Sequence, residues 1–373
     1  MIDLLLATLV TTFPIEHLHD PRALPAAAAV REIAATGADD FVLVTGPPDE
    51  GDGRALMRLT GGRLTPLADL GRTRSANCRG SRLVAGEEGR WWYARCNDEE
   101  VEFVTSSAPS RVVTVPAGHR AAGLAPVEGD EPAVVVVAFA TPAELLMRVE
   151  LITPSVAQGL GDFERTGHLM YGPWTLQAHR LKDDAIALVT LEEEGSSDYR
   201  VMLRVFRNGE AIEYRLPFEP NRYVAVLSAA SEHGLGVVAV EPRGGGLVAM
   251  ALDPDDPLSA KPFAIKRSDA QSVAREGAAV VPLGKRFAVT WANVNDRSVR
   301  LSEFDRTMAL PAARVADEAD VRAHGPLLQA HQEEVSVFWP QGTATMQRVL
   351  PTEAAGYLFA VELWRRLGSG AVP

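Results

Sequence analysis

Apolar runs of strand length recur along the chain, each led by a polar pair or a glycine. Asp39-Asp40 precedes Phe41-Val42-Leu43-Val44, Gly89-Arg90 precedes Trp91-Trp92-Tyr93-Ala94, and Asp130-Glu131 precedes Val134-Val135-Val136-Val137. Asp183-Asp184 then leads Ile186-Ala187-Leu188-Val189, His233-Gly234 leads Val237-Val238-Ala239-Val240, Lys285-Arg286 leads Phe287-Ala288-Val289-Thr290, and Glu333-Glu334 leads Val335-Ser336-Val337-Phe338. The seven runs begin roughly 42 to 52 residues apart, which suits a repeated sheet unit and is too long for leucine-rich or helical repeats. β-branched and aromatic residues between turn residues predict one strand before each run and two after it.

Turn chemistry and internal similarity sharpen this. Val201–Phe206 and Ala211–Leu216 flank Asn208-Gly209, a pair that tolerates the positive φ angles of a tight hairpin, and Gly61-Gly62 holds the matching place in the first repeat. Gly172-Pro173-Trp174-Thr175-Leu176-Gln177-Ala178-His179 and Gly325-Pro326-Leu327-Leu328-Gln329-Ala330-His331 share a Gly-Pro opening and the tetrapeptide Leu-Gln-Ala-His, each before an apolar run. The pattern resembles a β-propeller. The resemblance implies an all-β fold, a seven-bladed β-propeller of four-stranded antiparallel blades near 26–72, 78–117, 120–160, 172–217, 222–267, 272–316 and 324–351, within one domain over 1–351. There is no Trp-Asp dipeptide, no kelch-like double glycine in every repeat and no sialidase-type Asp box, so no functional residue carries over. Divergent propellers of this kind resemble interaction components of bacterial multi-protein systems, some paired with an ATPase and a von Willebrand A-type protein.

Three segments depart from the strand pattern. Ala26 to Ala35, between Pro25 and Gly37, has the punctuation of a helix. Residues 352–373 predict a C-terminal helix and tail, with Thr352 as N-cap, Arg365 and Arg366 in the last turn and Gly368 at the end. A ring must join its first and last sheets, and Leu4 to Thr11, within residues 1–12, can close it beside Thr343–Leu350.

Composition sets further limits. The chain has 373 residues, 46% hydrophobic and 23% charged, enough for a sizeable core and too apolar for a disordered chain. A net charge of -12 argues against a nucleic-acid partner, because binding a polyanion relies on Lys and Arg. No stretch approaches the length of a membrane span. The run Leu4–Val10 lacks the basic flank and cleavage site of a secretion signal, so the expected compartment is cytoplasmic, with a periplasmic or secreted location if a signal was removed. Cys78 and Cys96 flank the turn Gly86-Glu87-Glu88-Gly89 nearly symmetrically. They can face each other across a hairpin, although reduced thiols are the expected state in the cytoplasm.

Candidate chemistry is sparse. His17-Leu18-His19-Asp20 is similar to the His-x-His opening of amidohydrolase barrels, but the helices and later ligands of such enzymes are missing. An exposed loop is therefore preferred over a metal site at His17 and His19. Gln177 with His179, and Gln329 with His331, share a strand face by the period of two and would line the central channel, as ligand-binding candidates or as hydrogen-bonded structural side chains. Asp98-Glu99-Glu100, Glu192-Glu193-Glu194 and Asp253-Pro254-Asp255-Asp256 match no calcium-loop spacing and read as solvated turns. No phosphate loop, zinc helix or nucleophile elbow is present, so no cofactor and no catalytic residue is implied. The expected function is a non-catalytic protein-interaction or ligand-binding propeller with a protein partner. The alternative is an enzyme acting at the channel on a carbohydrate or lactone.

Overall fold

A computed structural model describes the chain from residue 22 to residue 351, apart from 25–28, 47–53, 72–80, 165–174, 267–272, 320–325 and shorter gaps in other turns. The closing strand expected at Leu4–Thr11, the histidines His17 and His19 and the C-terminal helix lie outside the described residues. The short strand β1 (Arg22–Ala23) precedes blade 1, which comprises β2 (Ala29–Gly37), β3 (Asp40–Gly46), β4 (Arg54–Thr60) and β5 (Arg63–Gly71). Blade 2 is β6 (Ser81–Ala85), β7 (Trp91–Cys96), β8 (Glu100–Thr105) and β9 (Arg111–Thr114). Blade 3 is β10 (Arg120–Pro126), β11 (Val134–Phe139), β12 (Leu146–Ile152) and β13 (Ala157–Glu164). Blade 4 is β14 (Leu176–Arg180), β15 (Ile186–Glu194), β16 (Asp198–Arg207) and β17 (Glu210–Arg215). Blade 5 is β18 (Ala225–Ser231), β19 (Gly234–Val240), β20 (Leu247–Leu252) and β21 (Phe263–Lys266). Blade 6 is β22 (Val273–Leu283), β23 (Arg286–Asn293), β24 (Ser298–Phe304) and β25 (Ala313–Ala316), and blade 7 is β26 (Leu327–His331), β27 (Glu334–Gln341) and β28 (Ala344–Pro351).

Six sheets run in sequence order from first strand to fourth, blade 7 takes β1 as its fourth strand beside β28, and the first strands touch in succession around the ring, β26 meeting β2. The protein is thus an all-β, seven-bladed propeller whose innermost strands surround a channel. Each apolar run of the sequence is a second strand. These runs read as continuous rather than alternating because a second strand is buried on both faces. In β15, Ile186 and Leu188 pack toward blade 3, while Ala187, Val189 and Leu191 pack toward blade 5. The core accordingly divides into seven clusters, one at each junction between neighbouring blades. Junctions can be tight. A Cβ on Gly236 would sit 2.5 Å from the Phe287 ring of the next blade, which leaves room there for glycine alone. The hairpin at Asn208-Gly209 has positive φ at both residues (54° and 82°), as its sequence requires.

One expectation changes. The segment expected to be helical from Ala26 to Ala35 instead carries the innermost strand of blade 1, β2. Helical punctuation yields here to tertiary context: β2 pairs along β3, and Val30 and Ile33 are buried with Phe41 and Leu43. The strand paired with β28 is β1, with Arg22 opposite Gln347 and Ala23 opposite Met346, extended by Leu24 N–H donating to Thr345 O at 2.8 Å.

Candidate functional site

Antiparallel order places the turns between first and second strands, and those between third and fourth strands, on one face of the ring. On that face an open cleft of about 410 Å³ lies over blades 3 to 5. Glu128 from the turn after β10 lines it, with His179, Arg180, Leu181 and Lys182 at the end of β14, and Ala230, Ser231 and Glu232 at the end of β18.

His179 is the most constrained of these groups. Its ring is 4% exposed, and Nε2 shares a 2.7 Å hydrogen bond with Ser228 Oγ on β18, itself 7% exposed. Nδ1 is buried with no hydrogen-bond partner. Burial without a counter-charge lowers the imidazole pKa to about 4, so the ring is neutral at physiological pH. Glu128 behaves oppositely. It keeps accessible surface because it faces the open cleft, yet the protein surrounding the cleft desolvates its carboxyl and raises the pKa. Among the other cleft groups Arg180 pairs with Asp184 at 3.3 Å, and Glu232 lies 3.1 Å from His233 Nε2, an ion pair only when that imidazole is protonated. Glu128 and Lys182 have no hydrogen bond or ion pair among the described residues.

Ion pairs tie the surrounding turns together. Arg207 of blade 4 reaches Asp183 at 2.5 Å and Asp255 of blade 5 at 2.9 Å. Arg306 of blade 6 donates to His233 O at 2.7 Å and reaches Asp253 at 3.4 Å. Beside these anchors the third-to-fourth strand turns expose apolar side chains: Val156, Leu258 (59% exposed) and Met308 (48% exposed).

The sequence candidates separate on the structure. Gln177 and His179 lie on β14 and Gln329 and His331 on β26, the innermost strands of blades 4 and 7. They were expected to line the channel, but His179 and Gln329 cross to the next blade. Gln329 Nε2 donates to Ile33 O at 2.9 Å and its Oε1 accepts from Ala35 N at 3.4 Å, a clamp between blades 7 and 1. Glu32 does the same one blade on, accepting from Leu83 N at 2.7 Å. A blade's faces are turned to its neighbours, so a residue that shares a strand face points across a blade junction. Gln177 is half-buried on β14, and the side chain of His331 lies outside the described part. Of the acidic clusters read as solvated turns, Glu192-Glu193-Glu194 proves to be the end of β15, and Glu192 is fully buried. Arg204 on β16 pairs with it and also donates to Thr190 Oγ1 at 3.0 Å and to Glu213 at 2.7 Å, while its guanidinium lies 3.8 Å over the Phe163 ring of blade 3. The sequence signal for this was the period of two, which aligns Leu188, Thr190 and Glu192 on one face.

Cys96, at the end of β7, is disulfide-bonded, against the expectation of reduced thiols, and Cys78 lies outside the described residues. Among the described residues no three His, Cys, Asp or Glu side chains gather as a metal site. No described helix is long and apolar enough to cross a membrane.

Neither a protein-family model nor a curated protein matches the chain. Solved structures do. An oligogalacturonate lyase from Vibrio parahaemolyticus is similar with a TM-score of 0.59 at 9% identity, over 90% of this chain and 94% of that one. A puromycin-hydrolyzing peptidase of Mycobacterium tuberculosis matches with a TM-score of 0.56 at 15% identity, over 92% of this chain, which spans 54% of the peptidase. YCF48 bound to D1 peptide matches with a TM-score of 0.51 at 11% identity, over 90% and 96%. Identities this low establish the fold and nothing further.

Proposed function

We propose that this propeller is a non-catalytic binding protein whose partner docks on the face carrying the cleft. The observation that carries this reading is the combination on one face of an open polar cleft built by three successive blades with exposed Leu258 and Met308 on turns held in place by Arg306. Apolar side chains flanked by polar groups on a rigid scaffold suit protein recognition. A propeller of this fold bound to a peptide is compatible with it. A disulfide persists in an oxidising compartment, so the bond at Cys96 supports the periplasmic or secreted alternative over the cytoplasm.

The test is crosslinking and affinity capture in the source cell with three forms of the full chain. The wild type and Ile212→Asp, on the outermost strand β17, are expected to recover the same partner, and Leu258→Asp/Met308→Asp is expected to lose it. Equal recovery by all three forms rejects this face, and recovery by none rejects the binding reading.

The hydrogen bond between His179 and Ser228 favours a second reading, an enzyme acting on a carbohydrate or lactone, because a neutral imidazole 2.7 Å from a hydroxyl can accept its proton. Against it stand the burial of both groups and the lack of a carboxylate on Nδ1 to orient the ring. His179→Ala is therefore expected to fold and keep biological activity. A folded variant with activity reduced by about a hundredfold or more favours the enzyme.

A further inference from the structure

Two unpaired charges of opposite sign face one cleft. Glu128 and Lys182 come from neighbouring blades and are not paired with each other or with any described residue, whereas Arg180 beside them is engaged by Asp184. The cleft is also lined by His179, whose buried Nδ1 has no hydrogen-bond partner. Surface charges are ordinarily solvated and need no partner. Glu128 differs, because the surrounding protein already weakens its hydration, as its raised pKa records. A carboxylate in that state gains more from an arriving cation than a fully hydrated one does.

Resting on the binding face argued above, we propose that the cleft receives a segment of a protein partner that carries a basic and an acidic side chain close together, the basic group meeting Glu128 and the acidic group meeting Lys182. Charge complementarity selects this occupant. A polyanion would be repelled by Glu128 and Glu232, and a polycation by Arg180 and Lys182. The openness of the cleft leaves a small molecule largely hydrated, while a partner segment is covered by its own protein, which can also bury Leu258 and Met308.

The probe is a displayed library of random twelve-residue peptides, selected on the immobilised full-length protein and followed by affinity measurement. Glu128 and Lys182 are exposed and unpaired, so Glu128→Gln and Lys182→Met should not lower the melting temperature. Selected peptides are expected to pair a basic with an acidic residue, and each variant to bind them about tenfold more weakly. The charge-exchanged variant Glu128→Lys/Lys182→Glu should in turn prefer peptides with the two signs exchanged. Peptides that bind both single variants as well as the wild type, yet fail on Leu258→Asp/Met308→Asp, overturn the charge assignment and leave the binding face standing. If the wild type selects no peptide at all, both readings fail.

Discussion

His179 is neutral because the fold withholds both water and a counter-charge from it. In the unfolded chain a histidine protonates near 6.5, whereas in the folded chain this one resists until about pH 4. Between those values the unfolded state binds the proton that the native state refuses, so stability falls as the pH drops through this window. The loss is complete below about pH 4 and amounts to about 3 kcal/mol. His179→Asn offers Ser228 an amide and cannot titrate. Urea denaturation should show the stability advantage of the wild type over this variant shrinking by about 3 kcal/mol between pH 7.5 and pH 4. A gap independent of pH would mean that His179 is not held neutral. At this scale the sequence was informative about place and poor about partners. Leu-Gln-Ala-His marked two innermost strands, but Ser228 lies 49 positions from His179 and the backbone of β2 nearly 300 from Gln329, contacts that no local pattern encodes.

Blades carry their individuality on the face turned to the preceding blade. Opposite Leu188 the third strand of blade 4 places Arg204, opposite Val136 that of blade 3 places Glu150, and opposite Val289 that of blade 6 places Ser302. All three are buried, and each is partnered differently: Arg204 by Glu192, Thr190 and Glu213, Glu150 by Arg148 at 3.1 Å, and Ser302 by donating to Leu310 O at 2.6 Å. This explains why apolar second strands were legible from hydropathy while no blade motif was. Burial on both faces repeats, but the polar filling of each junction does not. The acidic run at Glu192 misleads for the same reason, since its counter-ion Arg204 lies on the next strand and itself packs on a ring of another blade. Removing one member of a buried pair strands the other. Arg204→Ala should therefore cost about 3 to 5 kcal/mol in chemical denaturation. Arg204→Met/Glu192→Gln should recover most of that, because no charge is left buried. Equal losses in both variants would assign the effect to lost packing on Phe163 and not to the stranded carboxylate.

Closure is a property of the whole ring, and its joint lies between blades 7 and 1. Three separate contacts meet there: β1 adds the fourth strand to blade 7, Leu24 is buried with Phe41 and Phe338, and Gln329 holds the backbone of β2. Periodicity revealed that the last blade lacked a strand and that the N-terminal side must supply it, but not which residues do so. The position against Met346 and Gln347 belongs to Arg22–Ala23, and the more apolar Leu4–Val10 lies outside the described residues. Leu24 anchors the joint through its side chain, so Leu24→Ala should destabilise the protein by about 2 to 3 kcal/mol in urea denaturation. Gln329→Ala acts on the same joint, and its effect combined with Leu24→Ala should depart from the sum of the single effects, as neighbours sharing a junction do. Deleting residues 1–24 removes the closing strand altogether and leaves β28 as an unpaired edge, which invites pairing with a second copy. Size-exclusion chromatography should show the truncated chain forming dimers or larger species where the full chain does not. A truncated chain that remains monomeric and melts at the wild-type temperature would show that the ring is held by its seven junction cores alone.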